Sequence, residues 1–262
     1  MSVTIVTLKF EEDIMKILYF TATGNSLYIA KSLGGDYYSI PKLMKEGKYD
    51  FEDEKIGVVF PIYNSGVPKI VEEFLNKAKF KSKYIFGIAT YGMYAGAATR
   101  HLLEIGNRNG IEFFYINEIV MIDNYLPGFD INKELEKEPK KKIEESLEKI
   151  IKDINEEKKY IKKHSFIASG LRILSEKLFY DDQFEKNFTV ENTCTGCKTC
   201  EKVCPVNNIK VDKKPLFMNN CQRCLACTNN CPHNAIRVKK EKSKARFINQ
   251  NVTLKEIINA NN

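Results

Sequence analysis

Eight cysteines constrain this chain more than any other feature, because all of them lie between positions 194 and 231 and the first 193 residues contain none. Their spacing, Cys194-x2-Cys197-x2-Cys200-x3-Cys204-Pro205, recurs as Cys221-x2-Cys224-x2-Cys227-x3-Cys231-Pro232, a period of 27 residues with no cysteine left over. A disulfide framework would need an oxidising compartment. Glu11, Glu12, Asp13 and Lys16 interrupt the apolar run that a secretory signal requires, and no stretch approaches the roughly 18 apolar residues of a membrane span, so a cytoplasmic protein with reduced thiols is expected. Paired C-x2-C units can hold zinc, but zinc needs neither a third cysteine two residues on nor a fourth followed by proline.

The run C-x2-C-x2-C-x3-C-P is the pattern of bacterial-type ferredoxins, and residues 190–240 resemble their two-cluster members. The resemblance implies two 4Fe-4S clusters with exchanged fourth ligands. Cys194, Cys197, Cys200 and Cys231 would hold one, and Cys221, Cys224, Cys227 and Cys204 the other. Gly196 gives backbone room near sulfur, and Pro205 and Pro232 turn the chain after each fourth thiol. Val203, Ile209, Leu225 and Ile236 can exclude water, one of the influences that set a cluster's potential. The function implied is one-electron transfer.

The other end of the chain carries a different signal. Residues 16–20 read as a short buried strand, followed by Thr21-Ala22-Thr23-Gly24-Asn25-Ser26 and a helical pattern with Leu27, Ala30 and Leu33 on one face. A helix start supplies free N–H groups and partial positive charge, and Thr21, Thr23 and Ser26 add hydroxyls, so the loop suits an anion. It contains no Lys or Arg, and it lacks both the phosphate loop of nucleotide triphosphatases and the G-x-G-x-x-G of dinucleotide folds. The pattern T-x-T-G-N-S resembles the FMN phosphate loop of flavodoxins, which implies that Thr21, Thr23, Gly24, Asn25 and Ser26 bind that phosphate. A capped helix start is the simpler alternative.

Further buried strands are expected at 56–60, 84–89 and 113–122, with helices over 68–78 and up to about residue 108. This alternation predicts a parallel sheet covered on both faces. Residues 15–165 are similar in layout to the flavodoxin-like α/β fold, a doubly wound parallel five-stranded sheet of order 2-1-3-4-5, to which a small C-terminal α+β ferredoxin domain is added. Ligands of such sheets lie beyond the carboxyl ends of the strands. Two loops there, Pro61-Ile62-Tyr63-Asn64-Ser65-Gly66 and Thr90-Tyr91-Gly92 through Gly96, are expected to flank the flavin. Gly66, Gly92 and Gly96 would let backbone approach the ring, and Tyr63, Tyr91 and Tyr94 offer stacking surfaces. An empty cleft rimmed by tyrosines is the alternative.

The expected organisation is an extension over 1–14, an FMN-binding domain over 15–165, a connecting helix over 166–187, the two-cluster domain over 188–240 and a tail over 241–262. Ile143, Leu147, Ile150, Ile151 and Ile154 predict a helix within 138–163 that closes the sheet, with Pro139 in its first turn. Phe166, Leu171, Leu174, Leu178 and Phe179 predict the amphipathic connector. Residues 1–130 carry 14 Lys/Arg against 16 Asp/Glu and residues 131–262 carry 27 against 18, but the basic residues are interspersed with acidic ones. That mixing favours solvated helix faces over a nucleic-acid stripe. No catalytic role is expected for His101, His164 or His233, and no nicotinamide fingerprint is visible.

Taken together, the two halves resemble the flavodoxin-ferredoxin fusion proteins of anaerobes, as do the segments 121–127 (MIDNYLP) and 252–258 (VTLKEII). The resemblance implies electron transfer between redox protein partners, the clusters and FMN, joining one-electron to two-electron chemistry. A cluster-fed flavoenzyme reducing a small-molecule acceptor is the alternative. A cluster-based regulatory or nucleic-acid-binding protein using Lys239, Lys240, Lys242, Lys244 and Arg246 is the weakest reading.

Overall fold

The computed structural model describes residues 15–163 and 183–262. The extension 1–14 and the connector apart from its last residues lie outside the described residues. The first part runs β1 (Met15–Tyr19), α1 (Asn25–Ser32), β2 (Asp36–Ser39), α2 (Ile40–Glu46), β3 (Asp50–Glu52), β4 (Lys55–Pro61), α3 (Lys69–Leu75), β5 (Lys79–Lys81), β6 (Tyr84–Tyr91), α4 (Ala98–Asn109), β7 (Tyr115–Val120), α5 (Ile131–Glu136), α6 (Ile143–Asn155) and β8 (Tyr160–Ile161).

Successive side chains of a strand point to opposite faces, so a central strand covered on both sides must be apolar throughout. In β1, Ile17 and Tyr19 face a core shared with Leu27 and Ile29 of α1 and Leu147 and Ile150 of α6. Leu18 and Phe20 face the opposite core, with Ile40 and Leu43 of α2, Phe74 of α3 and Leu102 of α4. The sheet order is β2-β1-β4-β6-β7-β8, and every pairing in it is parallel. The first five of these strands give the flavodoxin-like order 2-1-3-4-5.

Two elements differ from the sequence expectation in detail. The edge strand β2 reads DYYS and is half exposed, so no apolar run announces it. The segment 138–163 does not form one helix: a 3-10 turn over Glu138–Lys141 ends at Lys142, whose backbone is left-handed (φ 49°), α6 then runs only to Asn155, and the chain returns to the sheet edge as β8.

The second part comprises β9 (Phe188–Val190), α7 (Thr199–Lys202), β10 (Ile209–Val211), β11 (Pro215–Phe217), α8 (Ala226–Asn229), β12 (Ile236–Val238) and α9 (Leu254–Asn261). The 27-residue repeat in the sequence reappears in the backbone. α7 and α8 start 27 residues apart, as do β9 and β11, and β10 and β12. Left-handed residues recur at the same interval, at Lys198 and Leu225 before the short helices and at Asn207 and Asn234 after them. The two hairpin-like pairs, β9 with β12 and β10 with β11, are antiparallel.

The last residues return to the first part. Thr253 and Glu256 form a reciprocal capping box that starts α9, and Ile257 and Ala260 are buried in the core that holds Tyr19 and Leu27. Burying an isoleucine contributes roughly 1.5–3 kcal/mol, whereas a surface pair such as Lys31 with Glu256 (2.7 Å) contributes about 0–1 kcal/mol. Apolar burial therefore holds α9 in place, and the ion pair orients it. Among the described residues no helix is long and apolar enough to cross a membrane.

Candidate functional site

An open cleft of about 300 Å³ lies at the carboxyl ends of β1, β4, β6 and β7. Its floor is the loop from Thr21 to Ser26. The Thr21 hydroxyl oxygen accepts from the Gly24 amide (3.0 Å) and that of Thr23 accepts from the Asn124 side chain (2.8 Å). With those lone pairs engaged, each hydroxyl keeps its proton to donate. Ser26 and Thr90 share a hydroxyl hydrogen bond (2.9 Å) that fixes the first loop against the third. Gly24 is left-handed (φ 98°), and the helical ladder of α1 begins only when the Tyr28 amide donates to the Gly24 carbonyl (2.8 Å). The amides of Asn25 and Ser26 therefore open α1 without carbonyl partners in the helix.

The second loop makes a tight turn in which the Tyr63 and Gly66 backbones exchange hydrogen bonds (3.1 and 2.9 Å), with Asn64 and Ser65 both at positive φ. Two consecutive left-handed residues are costly outside glycine, and such strain collects at binding sites. The third loop packs against its neighbours without clearance. A Cβ on Gly96 would stand 2.2 Å from that of Ser65, and one on Gly92 would stand 2.2 Å from Asp123 Oδ2.

Thr21, Thr23, Asn25, Ser26, the segment Pro61 to Ser65, and Thr90 to Gly92 all line the cleft. Gly24, Gly66 and Gly96 stand behind the lining and shape the turns that form it. Tyr94 and Met93 stand at the rim, 60% and 70% exposed.

On the fourth side the sequence suggests Tyr125 as a closing residue, and Tyr125 does line the cleft, but the two residues before it carry no such expectation. Asp123 and Asn124, beyond β7, line the cleft, and Asp123 accepts from the amides of Met93 (3.2 Å) and Tyr125 (3.1 Å). Burial raises the Asp123 carboxyl above the ordinary range. The rule that ligands collect beyond strand ends could have pointed to these residues. The outer wall comes from the second part of the chain: Phe184, Gln222, Arg223, Cys224 and Leu225. Arg223 lies over the Phe184 ring (5.5 Å) and carries the positive charge of that wall. No local pattern announces these contacts.

The eight thiols gather into two sets. One hollow is lined by Cys194, Cys197, Cys200 and Cys231, and another by Cys204, Cys221, Cys224 and Cys227. Backbone N–H groups point at sulfur in both. The Asn208 amide donates to Cys204 (3.2 Å) and, 27 residues on, the Ala235 amide donates to Cys231 (3.3 Å). Ile209 and Phe217 shield one hollow, Val211 and Ile236 the other. Among the described residues no three His, Cys, Asp or Glu side chains converge on a position for a single metal ion. Four thiols around a hollow, with amides aimed at sulfur and apolar walls, suit a four-iron cluster, in which each thiolate binds a different iron.

The two sets differ in their surroundings. Hydrogen bonds from Thr199 hold the exposed Cys197 below the usual thiol value. Burial pushes Cys200 up to about 12 and Cys221 up to about 11. Cys227 is also raised, by burial first and then by Cys224, Cys221 and Cys204. Thiols raised together in this way favour sharing positive metal over standing as thiolates alone.

His101 is not at the cleft. It is buried in α4, and its Nδ1 accepts from the Val67 amide (3.2 Å).

Residues 193–236 match the family model of the 4Fe-4S dicluster domain. The chain is similar to an uncharacterized protein of Methanocaldococcus jannaschii, with 24% identity over 216 residues, covering 74% of this chain and 88% of that one. Among solved structures, a flavoprotein in complex with FMN from Lactobacillus acidophilus has 12% identity and a TM-score of 0.30, covering 40% of this chain and 93% of its own. An azoreductase from Bacillus anthracis has 13% identity and a TM-score of 0.33, covering 55% and 100%.

Proposed function

We propose that this protein is an electron-transfer iron–sulfur flavoprotein that binds two 4Fe-4S clusters and one FMN. Cys194, Cys197, Cys200 and Cys231 would hold an outer cluster, Cys204, Cys221, Cys224 and Cys227 an inner one, and the loop Thr21–Ser26 the FMN phosphate. When bound, each cluster carries one electron at a time, and the flavin takes two and gives them up singly.

The observation that carries the reading is the position of Cys224, which belongs to the inner thiol set and also lines the cleft formed by the three loops. Cys224 thereby makes the inner set the neighbour of the cleft, with the outer set and its exposed Cys197 completing the pair. The phosphate loop binds by neutral donors alone, because Thr21 and Thr23 keep hydroxyl protons to give and no cation lies between residues 21 and 26. Tyr63 and Tyr91 orient a planar ring between the second and third loops.

The outer set suits a protein partner with an acidic face. Lys198 follows exposed Cys197, and the loop at Gly196 packs on the backbone of Asp212 and Lys213, in an exposed segment where Lys213 and Lys214 outnumber Asp212 and which leads to Leu216, 67% exposed. An apolar residue among lysines favours a partner of opposite charge.

A second reading, a cluster-fed flavoenzyme reducing a small molecule, is favoured by the open mouth of the cleft with exposed Met93, Tyr94 and Tyr125. The discriminating experiment is flavin, iron and sulfide analysis of anaerobically purified full-length protein, followed by stopped-flow reduction with a ferredoxin-type donor. One FMN and about eight irons per chain are expected, with flavin absorbance bleaching after the cluster absorbance and no requirement for a small acceptor. Full iron with no FMN bound, even after FMN is added, would overturn the flavin assignment. Rapid turnover with a small acceptor that a protein acceptor cannot match would favour the second reading.

A further inference from the structure

The loop Thr21–Ser26 is held from behind by asparagines that are far from it in sequence. The Asn261 side chain donates to the Thr21 carbonyl (3.2 Å), the Asn230 side chain donates to the Ala22 carbonyl (2.9 Å), and the Asn249 backbone amide donates to the Thr23 carbonyl (2.8 Å). Three successive carbonyls are thus engaged on the side away from the cleft. The Asn249 side chain also donates to Asn25 Oδ1 (3.1 Å).

Asn230 and Asn261 use one geometry. Each stands at the end of a short helix and splits its two amide protons, one to the carbonyl four residues earlier (Ala226, 2.8 Å; Ile257, 3.1 Å) and one to the loop. Both are 2% exposed or less. In both, Oδ1 is buried without a hydrogen-bond partner among the described residues, so only the two amide protons hold the side chain, and turning it over would set its oxygen against the two carbonyls it now donates to.

Carbonyl oxygens facing an anion repel it, and a loop without Lys or Arg has no charge to offset that. Its affinity for a phosphate depends on keeping carbonyls out of the cleft and N–H groups in it. We propose that Asn230, Asn249 and Asn261 are positioning residues for the phosphate loop, so that recognition of the flavin phosphate depends on the cysteine-bearing unit and the C-terminal helix as well as on the loop's own sequence. Asn230 lies between Cys227 of the inner set and Cys231 of the outer set, so the segment that carries a ligand to each set also holds the loop. This inference rests on the FMN reading above.

The test is titration of full-length, cluster-loaded protein with FMN and, separately, with riboflavin, which lacks the phosphate, followed by flavin fluorescence. Wild type is compared with Asn261→Ala and Asn230→Ala, and iron is counted in each. Loss of one clamp hydrogen bond is expected to weaken FMN binding by about tenfold and leave riboflavin binding within about twofold. Asn261→Ala lies thirty residues beyond the last cysteine, so it decides the matter if Asn230→Ala loses iron. Equal weakening of both flavins, or no change in either, with wild type binding FMN, would overturn the clamp and leave the FMN reading standing. A wild-type protein that binds neither flavin would overturn the FMN reading, and the clamp with it.

Discussion

The two thiol sets come from one repeated motif, yet their surroundings differ. The outer set has Cys197 exposed, Cys194 and Cys231 partly exposed and Cys200 buried, with lysines near its rim. In the inner set Cys204 and Cys227 are buried, Cys221 and Cys224 are partly exposed, and Cys224 borders the cleft. The local backbone is the same in both, down to the left-handed residue before each helix and the amide four residues beyond each fourth cysteine. What differs is what packs outside. Val203 and Ala226 join the core of the parallel sheet, and Cys224 packs against both cores, while β11 turns Leu216 to solvent. A duplicated motif thus supplies two equivalent sites, and docking against a second fold makes one a port to solvent and the other a neighbour of the cleft.

The largest expected effect comes from deleting one set. Cys227→Ser and Cys200→Ser should each lower iron from about eight to about four per chain. Cys227→Ser should abolish flavin reduction by a protein donor, whereas Cys200→Ser should leave flavin reduction by a small reductant intact. Identical behaviour of the two variants under both donors would erase the distinction between inner and outer.

Exposure also sets vulnerability. Treating oxidised protein with an iron chelator in air should release iron in two phases, the first accounting for about half and coming from the outer set, because water and chelator reach Cys197 first. Electron paramagnetic resonance of the remaining cluster identifies which set survives. A single phase would mean that the two sets are equally shielded.

A smaller effect is expected at the rim. Reversing Lys213 and Lys214 to Glu should slow association with an acidic partner by about tenfold at low salt and by much less at high salt, with reduction by dithionite unchanged. A slowing that persists at high salt would point to lost contact instead of lost steering.

The smallest effect lies on the cleft side. Asp123 is raised by burial and by Glu134, while hydrogen bonds from the Tyr125 and Met93 amides and the charge of Lys141 oppose the rise. A carboxyl with a raised pKa costs stability when ionised; the cost is complete above its folded pKa and vanishes below the ordinary aspartate value of about 3.9. Asp123→Asn should therefore compare more favourably with wild type at pH 7.5 than at pH 4.5, read from paired thermal melts. The opposite trend would show that the hydrogen bonds to the carboxylate outweigh its burial.

The parts of this protein whose chemistry is local can be read along the chain. Ligand spacing within a run of eleven residues, a helix start preceded by threonines and strands of uniform apolarity are each written in neighbouring positions, so the 4Fe-4S motif, the Thr21–Ser26 loop and the central strands were legible, while the strand order followed from the family resemblance. The edge strand β2 escaped because a half-exposed strand has no apolar run, and α6 proved shorter than its pattern because Lys142 is left-handed and the following segment paired with the sheet edge. Only the tertiary structure decided that Cys224 faces the cleft, that Arg223 and Phe184 close its outer wall, and that asparagines more than two hundred residues away hold the carbonyls of Thr21, Ala22 and Thr23. The physical reason is that docking depends on complementary shape and paired hydrogen bonds between surfaces remote in sequence. An asparagine reads the same in the chain whether it caps a turn in solvent or donates its last proton to a buried carbonyl.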